Sequence, residues 1–174
     1  MIKNIKKIGI LGGTFDPCHF GHLKISQIAK IKFKLTKIVW AVTKKNPYKR
    51  KSDMKLEDRI KVSKILTKKY KFIEVGCFET LIKSNRTYNL INYFKRKFIN
   101  SELYLIIGAD NLIYFHKWDK WRTIAQKSII IVFDRHGYKK KSLNSKTYKS
   151  LNRERLKFIK FNKVNISSSQ LRKI

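Results

Sequence analysis

Two histidines three residues apart, His19 and His22, close the eleven-residue string GGTFDPCHFGH, which opens on Gly12 and Gly13. Glycines without a Cβ let the backbone turn and come close to a ligand. With Gly21 between them, His19 and His22 can aim both imidazoles into one small volume at a helix start. The helix start adds backbone N–H groups and a partial positive charge. Together these residues make a phosphate-binding site with two titratable donors. Alone, HxGH would serve equally as a glycine-rich turn followed by ordinary capping residues. The string contains neither a Walker A loop nor the GxGxxG fingerprint.

The elements that must position this string follow from hydrophobic periodicity. Ile8–Leu11 reads as a first strand, 12–20 as a loop, and 21–33 as a helix with Leu23, Ile25, Ile28 and Ala29 near helical spacing. A second strand over 37–42 precedes a polar, basic loop over 43–54. A helix over 57–70 carries Ile60, Ile65 and Leu66 on its buried face, and a third strand covers 72–75. A helix over 87–98 has Leu90, Ile91, Phe94 and Phe98 on one stripe. Strands over 103–107 and 129–133 follow, with a shorter sixth over 157–161. Alternating strands and helices predict an α/β fold, a mostly parallel sheet with helices on both faces. Ligands in such sheets bind beyond the carboxyl ends of the strands, which directs attention to the residues after Leu11, Val42, Ile107 and Phe133.

Three other segments stand out. ISSSQLR, over 166–172, offers three serines and the planar cationic fork of Arg172; alone it would read as a polar helix start. IIGADNLIYFHKWDKW, over 106–121, contains Gly108, Asp110, Trp118 and Trp121, the two tryptophans at a spacing that also suits the buried side of a helix. Arg86, Thr87, Tyr88 and Asn89 precede the helical stripe.

Bulk properties set limits. The 174 residues suffice for a single domain, 1–174, with its own core. No apolar run nears the roughly 18 residues needed to span a bilayer, and the basic N-terminus lacks the long apolar stretch of a signal peptide, so the cytoplasm is the expected compartment and no membrane partner is expected. Cys18 and Cys77 form neither a metal-binding spacing nor a disulfide framework; Cys18 reads as a small space-filling residue. The net charge of +31 has two readings: an anionic partner, or the coding bias of an AT-rich genome, which also enriches Ile and Asn. The spread of lysines along the whole chain favours the second.

In its strand–loop–helix setting, the first string resembles the signature of the HxGH nucleotidyltransferases, Rossmann-like enzymes that transfer AMP or CMP from a nucleoside triphosphate. ISSSQLR resembles their second phosphate-binding signature. The GAD and FHKWxxW strings and the Thr87–Tyr88 pair resemble, within that superfamily, bacterial nicotinate-mononucleotide adenylyltransferases. Arg135 to Tyr138 resembles their R-x-G-Y turn, and Lys45 to Lys49 their proline-containing loop. Asn89 replaces an acidic residue, and the loop lacks the histidine found in many members.

The resemblance implies adenylyl transfer from ATP to nicotinic acid mononucleotide. It implies ATP contacts at Gly12, Gly13, Thr14, Phe15, His19, His22, Gly108, Asp110, Ser168, Ser169 and Arg172. Acceptor contacts are implied at Lys45, Lys49, Thr87, Tyr88, Trp118 and Arg135. His19 and His22 would be the catalytic pair, stabilising charge on the phosphates rather than acting as nucleophile or base. Mg²⁺ is expected with ATP, held through its oxygens and water rather than by protein ligands; Asp16 could act as an outer partner of the ion or as a loop cap. Pantetheine-phosphate adenylyltransferases and cytidylyltransferases share the two phosphate motifs but not usually FHKWxxW. Nucleic acid is a disfavoured partner, because the basic residues do not cluster on one element and the glycine–histidine loop would go unexplained.

Overall fold

The computed structural model describes residues 5–44 and 52–161. Six strands form one sheet: β1 (Lys6–Gly13), β2 (Lys37–Val42), β3 (Ile73–Gly76), β4 (Ser101–Gly108), β5 (Ile129–Phe133) and β6 (Leu156–Ile159). Their order is β3-β2-β1-β4-β5-β6, and every pair is parallel. Parallel strands covered on both faces need continuous apolar runs rather than alternation. Residues Ile130 to Phe133 of β5 are all buried, as are Ile38 to Val42 of β2.

The pleat divides the strand side chains between two layers. Ile8, Ile10, Val39, Leu105 and Val132 pack on one face against α4 (Thr87–Lys97), α5 (Ala109–Tyr114) and α6 (Trp121–Lys127), through Ile91, Phe94, Leu112 and Ile124. Leu11, Ile38, Trp40, Ile106 and Ile131 pack on the other against Leu23 and Ala29 of α1 (Phe20–Phe33), with Ile60 and Leu66 of α2 (Leu56–Thr67) partly buried there. The remaining helices are short: α3 (Glu79–Ile82), α7 (Lys139–Leu143), α8 (Lys146–Ser150), and a 3-10 turn over Phe115–Lys117.

The chain runs outward from β1 to β3, then returns past β1 to β4 and runs outward to β6. The strand order therefore reverses between β1 and β4. A crevice opens there at the carboxyl ends, and in this architecture it is the place for a ligand. Gly12, Gly13 and Gly108 lie at those ends.

α2 departs from its predicted face. Ile65 is 65% exposed, whereas Arg59, Ser63 and Thr67 are buried. These three lie four residues apart on one stripe, and two of them are satisfied internally. Thr67 Oγ1 donates to the Ser63 carbonyl at 2.8 Å, and Arg59 donates to backbone carbonyls. Burial of polar groups is tolerated when hydrogen bonds replace water.

Candidate active site

The loop after β1 delivers His19 as the N-cap of α1, in extended conformation. Its Nδ1 accepts from the Gly21 N–H at 3.0 Å. His22, three positions on, returns the favour: its Nδ1 accepts from the His19 N–H at 3.3 Å. This is a capping box in which imidazoles replace the usual hydroxyl and carboxylate or amide. Both capping and chemistry are thus open to the same residues. An Nδ1 that accepts an N–H cannot itself carry a proton, so each capped ring is held as the tautomer with its proton on Nε2.

The rings lie 4.0 Å apart between centroids. His19 is half-buried, and burial, reinforced by the positive charge of Arg135, pushes its pKa down to about 4. It is a neutral donor near pH 7. His22 rests on an aromatic floor, 4.8 Å from the Phe15 ring and 6.0 Å from that of Trp40. Phe15 and Trp40 stack at 5.0 Å. Trp40 Nε1 donates to Ser26 Oγ at 2.8 Å, and Ser26 Oγ donates to the His22 carbonyl at 2.9 Å, fastening the first turn of α1 to the core.

Gly12 faces open space: a Cβ built there would meet nothing within 4 Å. The glycine is not required by backbone conformation, so its use is close approach by something outside the chain. Across the crevice, Gly108 is the N-cap residue of α5, and a Cβ there would collide with Asp110 Oδ1. Asp110 Oδ2 accepts from Arg135 Nη1 at 2.6 Å. The ends of β1, β4 and β5 thus bring Gly12, His19, Gly108, Asp110 and Arg135 to one end of the sheet.

A second group forms around the start of α4. Arg86 Nη1 pairs with Asp119 Oδ2 at 3.1 Å, and Lys120 Nζ sits 4.6 Å from the Tyr88 ring centroid. These contacts join Thr87 and Tyr88 to the loop that carries Trp118. Trp118 is partly buried, 5.0 Å from Phe115, whereas Trp121 begins α6 and is buried. The tryptophans therefore do not share a helix face, and Trp118 keeps an accessible side.

Asp16 is committed to the loop-capping alternative. Its carboxylate accepts from the Asp53 and Met54 N–H groups at 2.9 and 3.0 Å. Cys18 is buried and its thiol pushed up by that burial, in keeping with a space-filling role. Lys45, Lys49, Ser168, Ser169 and Arg172 lie outside the described residues. Among the described residues, no helix is long and apolar enough to cross a membrane.

Sequence reasoning missed Arg59. It is 2% exposed, and its guanidinium reaches the carbonyls of Thr14, Thr43, Lys44 and Met54. An arginine on a helix with Glu57 and Asp58 beside it carries no sequence signal that distinguishes it from a solvated charge.

Comparison with known proteins agrees with this geometry. A family model described as cytidylyltransferase-like matches residues 10–174. A protein of Pelagibacter ubique named as a probable nicotinate-nucleotide adenylyltransferase is 56% identical over 97% of this chain and 93% of its own. A Bradyrhizobium protein with the same name is 34% identical over 86% of this chain and 78% of its own. A solved structure of Plasmodium falciparum nicotinic acid mononucleotide adenylyltransferase complexed with NaAD superposes with a TM-score of 0.76 at 22% identity, covering 97% of this chain and 83% of that one, which attests the shared fold. With its parallel sheet, glycine-lined crevice and paired histidines, this chain belongs to the cytidylyltransferase-like family and, within it, to the nicotinate-nucleotide adenylyltransferases.

Proposed function

We infer that the protein transfers the adenylyl group of ATP to nicotinic acid mononucleotide, forming nicotinic acid adenine dinucleotide and releasing pyrophosphate. The acceptor phosphate oxygen attacks the α-phosphorus as the bond to pyrophosphate breaks. That oxygen is already ionised, so the reaction needs positioning and charge stabilisation rather than a strong base. The observation that carries the reading is the fixing of His19 and His22 as paired Nε2–H donors beside Gly12 at the switch point of a chain in this family. Two oriented Nε2–H donors strengthen their hydrogen bonds as negative charge builds on the phosphates, and they lose nothing to reorganisation because the capping box has already oriented them.

In this reading Gly12 and Gly13 admit the ATP phosphates, with Thr14 and Phe15 offering donors to them. Gly108 and Asp110 border the ribose, and Arg135 holds Asp110 while facing the acceptor with its remaining N–H groups. Thr87, Tyr88 and Trp118 receive the nicotinate ring and its carboxylate, an indole face being suited to a flat, electron-poor ring. Lys45 and Lys49 add positive charge on the acceptor side, and Ser168, Ser169 and Arg172 grip the triphosphate. The whole chain, 1–174, serves as one domain. Mg²⁺ would accompany ATP and would supply charge neutralisation on its phosphates. Asp16 is engaged by backbone N–H groups and Asp110 by Arg135, which supports ligation of the ion by ATP oxygens and water. We assign the reaction to the cytoplasm, where ATP is available and thiols such as Cys18 and Cys77 stay reduced.

The test is pyrophosphate release with Mg²⁺ and either ATP or CTP, offered nicotinic acid mononucleotide, nicotinamide mononucleotide and 4′-phosphopantetheine in turn. Release confined to ATP with nicotinic acid mononucleotide supports the assignment. Release with phosphopantetheine would keep the phosphate chemistry and discard the roles given to Tyr88 and Trp118.

A further inference from the structure

The guanidinium of Arg59 is buried and is spent on backbone carbonyls. Its Nη1 donates to the Thr14 carbonyl at 2.6 Å and to the Thr43 carbonyl at 2.8 Å. Its Nη2 reaches the Lys44 carbonyl at 3.2 Å, and its Nε the Met54 carbonyl at 3.2 Å. One side chain from α2 thus ties the loop after β1 to the exit of β2 and to the approach to α2. Asp16 reinforces the tie from the loop's own side by accepting the Asp53 and Met54 N–H groups.

The consequence lies in the Thr14–Phe15 peptide. The cis bond among the described residues is Asp16–Pro17, so the Thr14–Phe15 unit is trans, and its C=O and N–H point in opposite directions across one plane. With the Thr14 carbonyl drawn inward to Arg59, the Phe15 N–H is turned the opposite way, away from that guanidinium. Phe15 also has φ of 50°, a conformation that residues with a Cβ seldom adopt and that persists only where neighbours hold it. Its ring is pinned against Trp40, and its preceding carbonyl by Arg59. The loop is therefore held from two sides in a form it would not choose alone.

We propose that Arg59 is a positioning residue for adenylyl transfer: by holding the Thr14 carbonyl it aims the Phe15 N–H at the phosphates of the nucleotide. Arginine suits the task because its planar fork reaches several carbonyls at once, which a lysine ammonium at the end of a flexible stem cannot do in fixed geometry. The proposal rests on the adenylyl-transfer reading for its kinetic consequence but not for its structural one.

The experiment has two arms. In the first, wild-type protein labelled with [15N]phenylalanine is titrated with inorganic tripolyphosphate. The Phe15 amide, assigned by its loss in Phe15→Leu, is expected to move downfield, and the movement is expected to vanish in Arg59→Lys. In the second, Arg59→Lys is assayed with ATP and nicotinic acid mononucleotide. The expected result is a fall in kcat of about 100-fold, the size seen when one oriented oxyanion donor is lost, with the KM for nicotinic acid mononucleotide nearly unchanged. A Phe15 amide that ignores tripolyphosphate in the wild-type protein overturns the proposal, and so does wild-type kcat in the lysine variant. Should Arg59→Lys fail to fold, Arg59→Gln takes its place in both arms. Absence of pyrophosphate release by the wild-type enzyme would count against the functional reading, while the amide titration would still judge the role of Arg59.

Discussion

Replacing His22 by glutamine separates the two jobs that the structure gives this histidine. His22 Nδ1 accepts the His19 N–H, and its Nε2–H is the donor assigned to the phosphates. Glutamine at the third helical position is the usual partner in a capping box and can accept the same N–H. The cap should therefore survive, while the rigidly aimed imidazole donor is lost. Its ring contacts go as well, to His19 at 4.0 Å, Phe15 at 4.8 Å and Trp40 at 6.0 Å, the last two each worth about 0.5–1.5 kcal/mol. The fold should lose about 1–3 kcal/mol, within the roughly 5–15 kcal/mol that holds a domain together. Loss of one preorganised donor should lower kcat by about 100- to 1,000-fold, or about 2.7–4 kcal/mol of transition-state stabilisation. His22→Ala should be equally inactive and less stable by about a further 1 kcal/mol, because its cap goes too. The assay is pyrophosphate release at saturating substrates alongside thermal unfolding. If His22→Gln turns over like the wild-type enzyme while His22→Ala does not, the histidine is a helix cap and nothing more.

Three further outcomes follow from the same geometry. His19 should remain the Nε2–H tautomer until about pH 4 by 15N NMR of the imidazoles, and Arg135→Gln should raise that pKa only part of the way to 6.5, since burial is the larger cause. Because the folded value lies below the unfolded one, the unfolded chain binds the proton first, so His19's contribution to stability should fall as pH drops from 6.5 to about 4; stability that rises through that window on acidification would contradict the neutral assignment. Gly12→Leu should keep its thermal stability, since a Cβ there touches nothing within 4 Å, but raise the KM for ATP at least about tenfold, and unchanged ATP kinetics would place the nucleotide elsewhere. Trp118→Ala should raise the KM for nicotinic acid mononucleotide by about two- to twelvefold, the worth of one aromatic contact, and leave the KM for ATP alone; an effect confined to ATP would reverse the assignment of the two substrate sides.

The strands were legible because parallel strands buried on both faces must be apolar throughout, and runs such as Ile129 to Phe133 have few other uses. The α/β alternation and the crevice at Gly12 and Gly108 followed from them. The short helices α5 to α8 were not legible: five to seven residues give too little periodicity, and they form where packing on the sheet permits. The histidine pair was visible as chemistry, but not that each ring would cap the other's turn, because capping is ordinarily signalled by Ser, Thr, Asp or Asn followed by Glu or Gln. Ile65 misled because periodicity reports apolar spacing, whereas the buried stripe of α2 is Arg59, Ser63 and Thr67. Of the four carbonyls that bury Arg59, only that of Met54 is near in sequence; those of Thr14, Thr43 and Lys44 come from remote segments, a tertiary fact with no local trace. Asp16 was readable as a carboxylate in a phosphate loop, but its commitment to the N–H groups of Asp53 and Met54 arises only when the chain 37 and 38 residues on returns to meet it.

If this crevice joins ATP to nicotinic acid mononucleotide, the dinucleotide it forms carries the α-phosphate of that ATP. The most direct measurement incubates the protein with Mg²⁺, ATP labelled in its α-phosphate and nicotinic acid mononucleotide, and separates the products by mass. Labelled nicotinic acid adenine dinucleotide and pyrophosphate are expected in equal amounts, with both abolished in the double variant His19→Asn, His22→Gln, which keeps its capping residues. Label found in AMP alone, or a dinucleotide formed at the wild-type rate by the double variant, would contradict it.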